Sequence, residues 1–108
     1  MKAENLLDDL PQDLPQELFT PLFQANNLRI ERIVSQGHVS PPGFWYDQAE
    51  DEWVVVLEGS AAVQFEGEAE AVQLRRGACL KIPAHARHRV AWTDPSRKTV
   101  WLAIHYRE

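Results

Sequence analysis

Cysteine is nearly absent from this chain of 108 residues, occurring once, at Cys79. A single thiol cannot close an intrachain disulfide, so a disulfide scaffold is excluded and a reducing compartment is expected. No second cysteine accompanies it to build a thiolate zinc cluster. Its setting in the short apolar run Cys79-Leu80-Lys81-Ile82 predicts a buried, inert thiol. Long apolar runs are missing too. No stretch approaches the ~20 residues needed to span a bilayer, and the N-terminal MKAENLLDDLPQDLPQ lacks the apolar segment of a signal peptide. A soluble, cytoplasmic protein without a membrane partner is the expectation. Basic clusters are scarce, the densest being Arg75-Arg76 and Arg87-His88-Arg89, against a formal net charge of −5. A nucleic-acid partner is therefore not expected, since such surfaces carry a basic patch. Also absent are a Gly-x-Ser-x-Gly nucleophile, a phosphate-cradling Gly-rich loop and any internal repeat.

The length suits one domain with one core. The chain divides into an acidic, Pro-punctuated arm over residues 1–27 and a strand-rich remainder over 28–108. In the arm, Asp13 is followed three residues later by Gln16, with Pro15 in the first turn, and Leu18, Phe19, Leu22 and Phe23 recur at helical spacing. That pattern predicts a short helix near 15–25, interrupted or kinked at Pro21. From Leu28 the period changes. Glu52 to Leu57 is β-branched and ends at Glu58-Gly59, Ala61, Val63 and Phe65 alternate with more polar neighbours, and Thr99 to Tyr106 is dense in β-formers. Short strands with a turn about every ten residues predict an all-β sandwich or barrel. Closing the sheet removes exposed edges.

Two stretches resemble the cupin family. Glu52-Trp53-Val54-Val55-Val56-Leu57-Glu58-Gly59 is similar to the second half of the first cupin motif, and Gly77 to His88, with Pro83 between, to the second. The two lie in order, with a fitting separation. The resemblance covers roughly Leu28 to Tyr106 and implies a single double-stranded β-helix, or jelly-roll barrel, with Glu52 and His88 pointing inward from facing strands. Gly59 and Gly77 would supply the positive φ that tight turns need.

The resemblance is incomplete where metal-bearing cupins place His-x-His ahead of the Glu. Here that stretch is Pro42 to Asp51 and contains no histidine. The two positions fall on Trp45 and Asp47 or on Tyr46 and Gln48, depending on the gap allowed before Glu52. One implied site is a divalent metal (Fe, Mn, Zn or Ni) on Asp47, Glu52 and His88, a carboxylate-rich set. The other is a metal-free small-molecule pocket lined by Trp45, Tyr46, Gln48 and Trp92, where aromatic walls suit an apolar or cationic ligand. His85 is expected at the rim and His38 in a loop, while His105 shares a strand face with Trp101 and Ala103 that is either core or solvent. Function thus divides between a small-molecule-binding cupin, a metal-dependent cupin enzyme (dioxygenase, isomerase or decarboxylase) and a sensor or partner-binding module acting in trans. The surplus of aromatic residues and the N-terminal arm fit a homodimer.

Overall fold

A computed structural model describes residues 1–108. It is all-β. Eight strands run β1 (Leu18–Ala25), β2 (Leu28–Ser35), β3 (Asp51–Glu58), β4 (Ser60–Phe65), β5 (Val72–Arg75), β6 (Cys79–Ile82), β7 (His88–Thr93) and β8 (Thr99–Tyr106). They form a five-stranded sheet in the order β1-β2-β8-β3-β6 and a three-stranded sheet in the order β5-β4-β7, every pairing antiparallel.

The expected N-terminal helix is not there. Leu18–Ala25 is an edge strand that pairs with β2 from Leu18↔Val34 to Ala25↔Leu28, closed by the two-residue turn Asn26-Asn27. Asparagine tolerates the positive φ such hairpin turns require. Pro21 breaks a helix but is tolerated in an edge strand, where one side of the backbone needs no ladder donor. The segment that sequence spacing assigned to a separate arm thus belongs to the large sheet.

Alternation sorts the remaining side chains. On β3, Glu52, Val54 and Val56 are buried, and on β8, Thr99, Trp101, Ala103 and His105 are buried. Directly paired residues share a face, so the register places Ile33 beside Trp101 and Val56, Glu31 beside Ala103 and Val54, and Arg29 beside His105 and Glu52. Val54, Val56, Ala61, Val63, Leu74 and Ile82, with Trp101 and Ala103, make the apolar core between the sheets. Cys79 is exposed, contrary to expectation. The period of two that turns Leu80 and Ile82 inward turns Cys79 and Lys81 out.

Gly59, at the β3–β4 turn, has φ +85. A Cβ there would lie 2.7 Å from both the Lys98 carbonyl oxygen and the Thr99 Cα. The turn therefore needs glycine for its conformation and for the close approach of β8. Gly77 also has φ +85, but open space surrounds it. No helix is long and apolar enough to cross a membrane.

Candidate functional site

One end of the barrel interior is polar. Glu52 enters it from β3 in the five-stranded sheet and His88 from β7 in the facing three-stranded sheet. Both are buried, and His88 Nε2 lies 3.9 Å from Glu52 Oε1. The segment before β3 folds over the same space. Tyr46 and His88 form an isolated antiparallel bridge, with Tyr46 N donating to His88 O at 2.7 Å and His88 N donating to Tyr46 O at 3.1 Å. Two residues on, Gln48 Nε2 donates to Glu52 Oε1 at 3.3 Å. The Tyr46 ring stacks on the His88 imidazole at 5.3 Å, and Phe44 meets Tyr46 edge-on at 4.9 Å.

The cavity has an internal free volume of about 70 Å³ and is lined in part by Glu17, Glu31, Tyr46, Gln48, Glu52 and His88. That is room for a few waters or one compact ligand. His105 also borders it, with Val54, Val63, Ile82 and Trp101 as an apolar floor. Glu17 immediately precedes β1, where its Oε2 accepts a hydrogen bond from Ser35 Oγ at 2.5 Å, and Ser35 Oγ accepts one from Trp101 Nε1 at 3.2 Å.

The two imidazoles are held by partners that can only accept. His88 Nδ1 lies 2.8 Å from the Ala86 carbonyl oxygen, and His105 Nε2 lies 3.1 Å from Glu31 Oε1. In the neutral rings those nitrogens carry the proton, leaving His88 Nε2 and His105 Nδ1 as acceptors. His105 Nδ1 and Gln48 Oε1 are buried without a hydrogen-bond partner. Burial pushes the Glu52 carboxyl above its ordinary range, the nearby His105 and His88 opposing the rise. Burial likewise raises the Tyr46 phenol, and Glu17, Glu52 and Glu31 add to the rise through their negative charge.

The two pairs of residues weighed ahead of Glu52 part company here. Tyr46 and Gln48 border the cavity, whereas Trp45 and Asp47 do not. Asp47 Oδ1 instead meets His85 Nδ1 at 2.8 Å on the outer rim, with both side chains largely in solvent. Asp47 therefore does not join Glu52 and His88. Trp92 points away from the cavity and is 43% exposed. The cause is a bulge: Ala62 pairs with Trp92 but Val63 pairs with Val90, so β7 carries one extra residue and its inward phase passes to Thr93. His38 is a loop residue, its Nδ1 accepting from Gln36 N at 2.9 Å.

A phenol and an amide are weak metal donors, and although Glu31 and His105 border the cavity as well, no three His, Cys, Asp or Glu side chains are placed to share one ion. That donor set does not fit a tightly held transition metal, which takes three or more carboxylate, imidazole or thiolate ligands. Glu31 was missed from sequence as a site residue, and sequence alone leaves His105 undecided between core and solvent. The inward face of β2 carries Arg29, Glu31 and Ile33, so apolar alternation gave no sign of it. A usable sign lay in β8, where His105 repeats the phase of Trp101 and Ala103.

Comparison with known proteins places this geometry. A family model described as Cupin domain matches residues 32–105. A solved structure from Ralstonia eutropha JMP134, described as a "putative mannose-6-phosphate isomerase", is 51% identical, with 100% of each chain covered and a TM-score of 0.95. An RmlC-like cupin from Desulfovibrio desulfuricans is 24% identical over 97% of this chain and 96% of its own, with a TM-score of 0.74. A cupin superfamily protein from Desulfitobacterium hafniense is 20% identical over 100% of both chains, with a TM-score of 0.71. These last two likenesses concern the fold alone. Among curated proteins none matches the chain.

Proposed function

The chain belongs to the cupin family, and from that premise we propose that its barrel interior is a binding site for a compact small molecule, with Glu52 and His88 as the polar pair that engages it. The observation that carries this is the convergence of buried Glu52 and His88, from the two sheets, with half-buried Tyr46 and Gln48, from the segment between β2 and β3, on one cavity over an apolar floor. Pockets of this kind, mostly apolar with a few convergent polar groups and a perturbed carboxyl, are where ligands bind. A thermal-shift screen of small metabolites, repeated on His88→Ala, tests it. Saturable hits that disappear in the variant support the reading. A screen without hits, or hits indifferent to His88→Ala, overturns it.

A second reading, an isomerase, is favoured by the 51% identity to the protein described as a putative mannose-6-phosphate isomerase. Such a reaction moves a proton between adjacent carbons of a sugar, and a carboxylate beside an imidazole is a workable general base and acid. Here Glu52 would take the proton from carbon and return it, while His88 would handle the hydroxyl proton. The cavity borders include no Lys or Arg to hold a phosphate. Conversion of mannose 6-phosphate to fructose 6-phosphate, assayed with and without added Zn²⁺ or Mn²⁺, decides this reading; turnover abolished by Glu52→Gln would establish it.

The exposed Leu22 and Phe23 of β1 support the pairing of two copies through this edge strand. Light scattering reads the outcome directly, and a monomer at high concentration removes the proposal.

A further inference from the structure

The cavity's hydrogen-bonding capacity is lopsided. Three carboxylates border it, Glu17, Glu31 and Glu52, and no Lys or Arg does. The Arg29 guanidinium lies 3.6 Å from Glu31 but is drawn aside to Glu50 at 3.0 Å. The imidazoles add acceptors rather than donors, because Ala86 O fixes the His88 proton on Nδ1 and Glu31 fixes the His105 proton on Nε2. His88 is 6% exposed, and its free Nε2 faces Glu52 Oε1 across 3.9 Å with no hydrogen bond between them. One donor atom could sit at an ordinary distance of about 2.9 Å from both. His105, 3% exposed, and Gln48 each keep a buried acceptor without a partner. Acceptors facing acceptors in a low-dielectric space call for a ligand that brings both protons and positive charge.

We propose that the cavity takes a small molecule with a primary ammonium head, its N–H groups donating to Glu52 and His88 and its charge balanced by Glu31 and Glu17. The inference rests on the small-molecule reading above and names the ligand class. Tyr46, stacked on His88, and Phe19 at the mouth offer aromatic surface to the same cation. The short alkyl tail of such a ligand would lie on the apolar floor formed by Val54, Val63 and Trp101.

The test is an isosteric series. Calorimetric titration at pH 7.5 with n-propylammonium, 1-propanol and propionate varies charge at nearly constant size. The expected result is saturable binding of propylammonium at least tenfold tighter than 1-propanol, with propionate weakest. Glu31→Gln should weaken propylammonium at least fivefold and leave 1-propanol unchanged. Glu17→Gln, just before the edge strand, provides a second variant should Glu31→Gln fail to fold, as judged by circular dichroism. Propionate or 1-propanol binding as tightly as propylammonium overturns the charge assignment while leaving the pocket in place. Silence from all three, alongside hits of another class in the metabolite screen, also overturns the ammonium assignment alone. Silence in both experiments removes the ligand class and the binding site together.

Discussion

Along β3 and β8, a step of two residues exchanges Val54 and Ala103 for Glu52 and His105. The same strands, in the same register, thus build two unlike interiors. Toward Val56, Leu74 and Trp101 the space between the sheets is filled with apolar side chains, and every inward group has apolar neighbours. Toward Glu52 and His88 it is left partly open and lined with carboxylates and imidazoles, and burial there penalises the Glu52 charge. The first end supplies the apolar burial that holds the sheets together. The second retains a buried carboxyl and an unpartnered imidazole nitrogen, a cost that folding alone does not explain.

Substitutions can widen or erase that contrast. The largest effect is expected in the filled end. Leu74→Ala should lose about 2–5 kcal/mol of stability in a urea titration, because a buried Leu leaves a cavity the sheets cannot collapse around. An open end that is built for ligand should behave in the opposite sense. A carboxyl whose folded-state pKa is raised stabilises the fold only while protonated. That contribution is complete below the unfolded value and is lost as pH climbs through the folded one. Glu52→Gln should therefore match the parent near pH 4, below the ordinary value of 4.5, and exceed it in Tm at pH 7–8. Each kcal/mol relieved reads as roughly 4–8 °C. Equal melting of the two proteins across this range would show that the polar end carries no stored cost.

The rim should matter less. His85 holds φ 63, an uncommon conformation for a residue with a Cβ, and its backbone N donates to Gln48 O at 2.7 Å. His85→Ala, which keeps a Cβ in the left-handed conformation, should stay within about 0.5 kcal/mol of the parent, while His85→Gly, relieved of that penalty, should gain on the order of 1 kcal/mol. Chemical denaturation of the pair separates backbone strain from the exposed contact with Asp47, which is worth little in solvent. The smallest effect belongs to Cys79→Ser. The thiol is exposed, so a change within about 0.5 kcal/mol is expected.

Where side-chain chemistry and spacing act together, the sequence was legible. The Glu52–Gly59 and Gly77–His88 stretches located a cupin barrel, and the positive φ at Gly59 and Gly77 follows from their turns. What escaped was governed by partners distant in the chain. Leu18, Phe19, Leu22 and Phe23 fit a helix by spacing, and only pairing with β2 makes them a strand, although Asn26-Asn27 was a readable hairpin turn. Trp92 obeyed alternation until a bulge against β4 shifted its phase. Glu31 belongs to an inward face too polar to register as one. It acquires meaning only when the register sets Glu31 beside Ala103 and brings its carboxylate to His105, 74 residues away.

Pro21 has a bearing on life at high concentration. It lies in the outermost strand of the large sheet, and the register of β1 shifts between it and Phe23. A second ribbon approaching that border would meet a missing amide hydrogen and a broken step within its first few residues. Edge-to-edge stacking into a growing filament is disfavoured there, so the oily side chains alongside can serve the pairing of two copies without seeding fibres.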